Sequence, residues 1–114
     1  MTRQELIKGI SVAVQESAVK TVISELSAGV NQSADWYNAL SAQDRERVAE
    51  VVRLSVNVAL FGMFCVLDNV RAVEYGPDKG TLRLIYVNAK RGVEVQLNGS
   101  GGDELHDIFH DYMD

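Results

Sequence analysis

Residues 42–68, AQDRERVAEVVRLSVNVALFGMFCVLD, decide how the rest of this chain must be arranged. Ser41 followed by Asp44 has the spacing of a capping box, which opens a helix by satisfying amides that have no partner in the first turn. The first third of the stretch carries Asp44, Arg45, Glu46, Arg47, Glu50 and Arg53 and reads as a solvated helix. The last third is apolar on every side, and such a helix is enclosed by other elements. The valines also suit a strand over residues 51–58. No turn signal interrupts 43–67, which favours one continuous central helix.

Toward the N-terminus, Thr2 and Glu5 form a second box, and Gly29 supplies a stop. A first long helix is predicted over about residues 3–28. Its apolar positions change face midway: Leu6, Ile7, Ile10, Ala13 and Val14 make one stripe, and Val19, Val22, Ile23 and Leu26 another. Three arrangements accommodate this: a bend near Glu16–Ala18, cover on two sides, or a homo-oligomer joined through the second stripe. NQSADWYNAL (31–40) is a polar connector with a short helical turn, pinned by Trp36, Tyr37 and Leu40 because large aromatics bury the most area.

Toward the C-terminus, the hydrophobic period falls from 3.6 to 2 after Asp68 and Asn69. RAVEY (71–75) and TLRLIYV (81–87), separated by GPDKG, read as two strands with a tight turn. NAKRG makes the next turn. Val93, Val95 and Leu97 then alternate with Glu94, Gln96 and Asn98, which is a half-buried strand. NGSGG ends the sheet, and Ser100 with Asp103 starts a closing helix of about ten residues. The reading is an α+β protein: two long helices and a short one, a three-stranded antiparallel meander and a short C-terminal helix, in one domain over residues 1–114.

At 114 residues the chain suits one domain and should bury roughly 65% of its unfolded surface. Its single cysteine, Cys65, lies in the run ALFGMFCVL, so it has no intramolecular partner and reads as a small buried hydrophobe in a reducing compartment. MTRQELIKG lacks the layout of a secretory leader. The apolar run from Leu54 to Leu67 is interrupted by Ser55 and Asn57 and falls short of the roughly 20 residues of a membrane span. A cytoplasmic protein without a membrane partner is therefore expected. Nucleic-acid binding needs clustered cations. Here only Lys90–Arg91 and Arg45 with Arg47 come close, against a net charge of -5.

That charge is concentrated. The last fifteen residues, SGGDELHDIFHDYMD, hold five of the sixteen carboxylates, both histidines and no Lys or Arg; the other eleven acids are matched by eleven bases. Leu105, Ile108, Phe109, Tyr112 and Met113 make a docking stripe, with an acidic opposite side. Asp103 and Glu104 suit the positive end of the helix dipole, whereas Asp111 and Asp114 lie at the end where carboxylates destabilise by about 0.3–1 kcal/mol each. The five acids Asp103, Glu104, Asp107, Asp111 and Asp114 are thus candidates for docking a basic partner; a solvated, solubilising terminus is the other reading.

HDIFH (106–110) echoes the H-E-x-x-H zinc signature with Asp for Glu, and His106 and His110 at i, i+4 could chelate a metal. A shorter base, no third His or Cys and a short terminal helix argue against a metallohydrolase. Both histidines also suit the boundary of the apolar stripe. Cys65 has apolar neighbours rather than an electropositive setting. No serine sits in a G-x-S-x-G elbow, and Gly99–Gly102 lacks the lysine of a phosphate-binding loop. No catalytic residue and no cofactor are assigned. Trp36 and Tyr37 could anchor an interface, and the sheet edges could accept a partner strand.

DWYNALSAQDRERVAEVVRLSVNVALFGMFCVLDNVR, with LHDIF near the end, resembles small bacterial proteins of which some are similar to immunity proteins of toxin–antitoxin-like competition systems. The likeness covers about half the chain and lies in its texture, small, acidic and helix-rich with a meander, rather than in a diagnostic motif. It implies a non-catalytic, stoichiometric binder that blocks a basic toxin domain by presenting carboxylates where the toxin would meet phosphate.

Overall fold

A computed structural model describes residues 1–28, 33–99 and 101–113. Gly29, Ser100 and Asp114, read above as a helix stop, a cap and a docking carboxylate, lie outside the described residues. The elements are α1 (Arg3–Ile10), a π-helical stretch (Ser11–Glu16), α2 (Ser17–Ser27), α3 (Ser33–Ala39), α4 (Ala42–Leu67), β1 (Ile85–Asn88), a 3-10 turn (Ala89–Arg91), β2 (Val93–Gln96) and α5 (Leu105–His110). The fold is α+β, and the chain divides into two compact units: Ile10–Val58, which is helical, and Met1–Gly9 with Ala59–Asp114, which is mixed.

In the helical unit the predicted caps hold: the amide of Asp44 donates to Ser41 Oγ at 3.1 Å, as in the mixed unit that of Glu5 donates to Thr2 Oγ1 at 3.0 Å. The change of apolar face is handled by the π-helical stretch, whose wider turns re-phase the helix. Burial then falls on every fourth residue, Ser11, Gln15 and Val19, while Val12, Ala13 and Val14 are exposed. The first stripe therefore does not continue past Ile10, and the second packs in part, with Ile23 and Leu26 half-buried. α2 packs against α3, where Tyr37 is buried and Trp36 is exposed, so only the former acts as the expected pin. The interior of this unit is partly polar: Ser11 Oγ donates to Gln15 Oε1, and Gln15 Nε2 to Asn57 Oδ1, both at 2.6 Å.

α4 is one 26-residue helix, as read, but its apolar last third, expected to be enclosed, leaves Met63 56% exposed. Val51, Leu54 and Val58 are 57–63% exposed. At i, i+3 and i+7 they form one outward stripe. By length and composition α4 is also able to cross a membrane, its best 18-residue window having a mean hydropathy of 1.8.

The mixed unit holds the apolar core: Ile7, Phe64, Cys65, Leu97, Leu105 and Phe109 are 0–6% exposed. β1 and β2 pair antiparallel, Ile85 opposite Gln96 and Asn88 opposite Val93. Gly92, at φ 64°, completes their turn in a conformation that other residues rarely adopt. Val93 and Val95 are half-buried and Leu97 is buried, as their alternation predicts.

The meander's first strand is not formed: residues 71–75 are exposed loop, and among the described residues the sheet has two strands. Amide side chains satisfy the backbone that this strand would have paired. Asn69, at φ 62°, accepts from Leu82 N at 2.7 Å and donates to Leu82 O at 3.1 Å. Asn98, 1% exposed, accepts from Leu84 N at 2.8 Å and donates to the carbonyls of Leu67 and Leu82. One asparagine thus spans both ends of the segment that follows α4.

Candidate functional site

The acidic tail is built around Asp68, the residue that follows α4. Its side chain is 1% exposed, and a buried carboxylate is tolerated only when its oxygens are fully engaged. Here Oδ1 accepts from Leu105 N at 3.0 Å, and Oδ2 accepts from His106 N at 2.8 Å and lies 2.7 Å from His106 Nδ1. Asp68 therefore caps α5 from 37 residues away and aligns negative charge with the positive end of its dipole. The local cap expected from Ser100 lies outside the described residues; Glu104 occupies the cap position without a side-chain cap hydrogen bond. Packing completes the docking: the rings of Phe64 and Phe109 lie 5.1 Å apart, and Phe61 meets His106 edge-on at 5.6 Å.

This clamp fixes the direction of His106. With Nδ1 turned to Asp68, Nε2 points outward, 3.3 Å from Glu104 Oε2 and 3.5 Å from Asp107 Oδ1. Asp103, Glu104, Asp107 and Asp111 are all exposed. Among the described residues, none of the four forms an ion pair with Lys or Arg. Arg3 reaches this region but donates to backbone, to Asp103 O at 2.9 Å and Gly99 O at 3.0 Å. It pins the turn and pairs with none of the four carboxylates.

The structure thus brings together four of the five acids read from the sequence. It does not pair the two histidines: the ligand atoms of Asp68, Glu104 and His106 lie within 4.8 Å of one another, and His110 is outside that group. A divalent ion could use His106 Nε2 with an exposed carboxylate, with Asp68 holding the ring from behind as metal-bound imidazoles commonly require. Asp68 itself has both oxygens committed to the clamp. Cys65 is buried and unpaired, as read.

Sequence reasoning missed the roles of Asp68 and Asn69, which it took only as marks of a changing period, and of Asn98, which it took as an alternating polar residue of the strand. An Asp-Asn pair closing an apolar helix is a turn signal, but its partners lie 13 to 38 residues away, beyond any local pattern. No family model matches the chain, and no curated protein and no solved structure matches it.

Proposed function

We propose that this chain is a non-catalytic binding protein, an immunity- or antitoxin-like inhibitor of the cytoplasm, which docks a basic protein partner through the acidic surface of α5. The observation that carries the reading is the set of four exposed carboxylates, Asp103, Glu104, Asp107 and Asp111, left without a Lys or Arg counter-charge on a helix that Asp68 and Phe109 hold in place. Like charges held on a fixed element raise the local negative potential, which steers a cationic partner and speeds its encounter. Asp114 belongs to the same acidic run in sequence. Such a partner would place Lys or Arg side chains where a nuclease-like toxin places phosphate.

The test compares two baits for capture from the cell that makes the protein, the wild-type chain and one carrying Asp103→Lys, Asp107→Lys and Asp111→Lys. A basic protein retained by the first and lost from the second, with binding that weakens as salt rises, supports the reading. A control bait with Glu46→Lys and Glu50→Lys on α4 should retain it. A partner held equally by the charge-reversed tail would sink the proposal.

A further inference from the structure

The loop between α4 and β1 is closed at two levels by side chains. At its neck Asn69 holds Leu82 through two hydrogen bonds. At its tip Glu74 Oε2 accepts from Gly80 N at 2.8 Å. Between these closures is a cleft of about 550 Å³, within the range of small-molecule sites. Val66 from the last turn of α4 and Val70, Val73 and Leu82 from the loop give it apolar walls, and Arg71 and Lys79 give it two cations. Glu74, the one carboxylate of the lining, is occupied by the Gly80 amide. The cleft is therefore net positive in a chain of net charge -5.

Arg71 is seated rather than loose. Its amide donates to Cys65 O at 3.2 Å, and its guanidinium rests on α4 where Gly62 has no side chain: a Cβ there would lie 2.6 Å from Nη1. That accounts for a glycine inside a helix, where it destabilises by about 1 kcal/mol relative to alanine. The seated guanidinium nonetheless forms no hydrogen bond or ion pair with any described residue. A planar fork of donors, exposed to solvent, without a protein partner and in a cleft with apolar walls, matches a carboxylate on an apolar body.

We propose that this cleft binds a small amphipathic organic carboxylate, its apolar part against Val66, Val70, Val73 and Leu82 and its carboxylate paired with Arg71. The site is separate from the acidic surface of α5 and does not depend on the docking role proposed for it.

The test is a titration of the full chain, followed by NMR, with hexanoate and 4-phenylbutyrate, each against its neutral amide and against inorganic phosphate. Saturable shifts at the Val66, Val70, Val73 and Leu82 methyls are expected at millimolar carboxylate, with binding about tenfold weaker for the amides and for phosphate. Arg71→Gln, an exposed position, should weaken carboxylate binding by about tenfold as well. Gly62→Ala should raise the unfolding temperature yet weaken binding, because the new methyl group displaces the guanidinium. No saturable shift in the wild-type chain overturns the proposal, as do amides or phosphate that bind equally well, or an Arg71→Gln or Gly62→Ala chain that binds as tightly as wild type.

Discussion

Along α4, the apolar side chains of the stretch in the mixed unit and those of the stretch in the helical unit are covered differently. In the former, Phe64 and Cys65 are buried and even Gly62 lies under the Arg71 guanidinium; in the latter, Val51, Leu54 and Val58 are more than half exposed, and the residue turned fully inward is Asn57. Composition determines how much surface a helix would gain by hiding, but the supply of neighbouring elements determines how much it hides. The mixed unit has α5, two strands and Ile7 to place around six buried apolar side chains. Among the described residues of the helical unit the buried apolar ones are Val19 and Tyr37, and Ser11, Gln15 and Asn57 are buried polar ones.

The sharpest way to break this contrast is to empty the better-filled unit. Phe109 is 0% exposed and packs at a tilt against Phe64, so Phe109→Ala should cost about 3–5 kcal/mol by removing buried area and leaving a cavity. Chemical denaturation measures it. A loss under about 1 kcal/mol would mean that α5 is not part of the cooperative core.

The next largest effect belongs to the clamp. Asp68→Ala removes one acceptor from two backbone amides and an imidazole, and should cost about 3 kcal/mol because buried donors lose a charged partner. Asp68→Asn keeps a carbonyl oxygen and should cost less. Hydrogen exchange at Leu105 and His106 locates the damage: these amides should open in the alanine variant while the protection of α4 persists. Equal exchange in both chains would show that α5 is held by packing alone.

Both long helices and the β2 alternation were legible from residues 3–67 and 93–97 because periodicity and caps are local signals. The missing strand was not. RAVEY alternates as a strand should, yet a strand also needs a partner, and the groups on Leu82 and Leu84 that would have paired are taken by Asn69 and Asn98. The acidic residues of the tail were readable from composition, whereas their rigid mounting depends on Asp68, which sequence places at the far end of another helix. The Arg71 cleft left one local trace, a glycine at position 62 inside an otherwise uninterrupted helix.

The polar interior of the helical unit predicts a moderate coupling. Gln15 and Asn57 meet at 2.6 Å, 42 residues apart in sequence. A double-mutant cycle with Gln15→Leu and Asn57→Leu should give an interaction energy of about 1 kcal/mol, since each single change leaves a buried amide facing a methyl group. The double variant should then be less destabilised than the two singles together imply. Simple additivity would show that this hydrogen bond contributes nothing to the fold.

The smallest effect is expected on the outer stripe of α4. With Val51, Leu54 and Val58 exposed by 63%, 61% and 57%, changing each to Gln should alter stability by no more than about 0.5 kcal/mol per site, the range of surface substitutions. That small number is informative because the same helix is long and apolar enough, by length and composition, to cross a membrane, and an exposed apolar stripe could also be covered by a second copy. If either surface covered the stripe in solution, the triple variant would lose far more, its unfolding midpoint would depend on protein or lipid concentration, and sedimentation would show the wild-type chain leaving the monomer or following vesicles. A concentration-independent midpoint that the three substitutions barely move is the result that fits a helix with one face left to water.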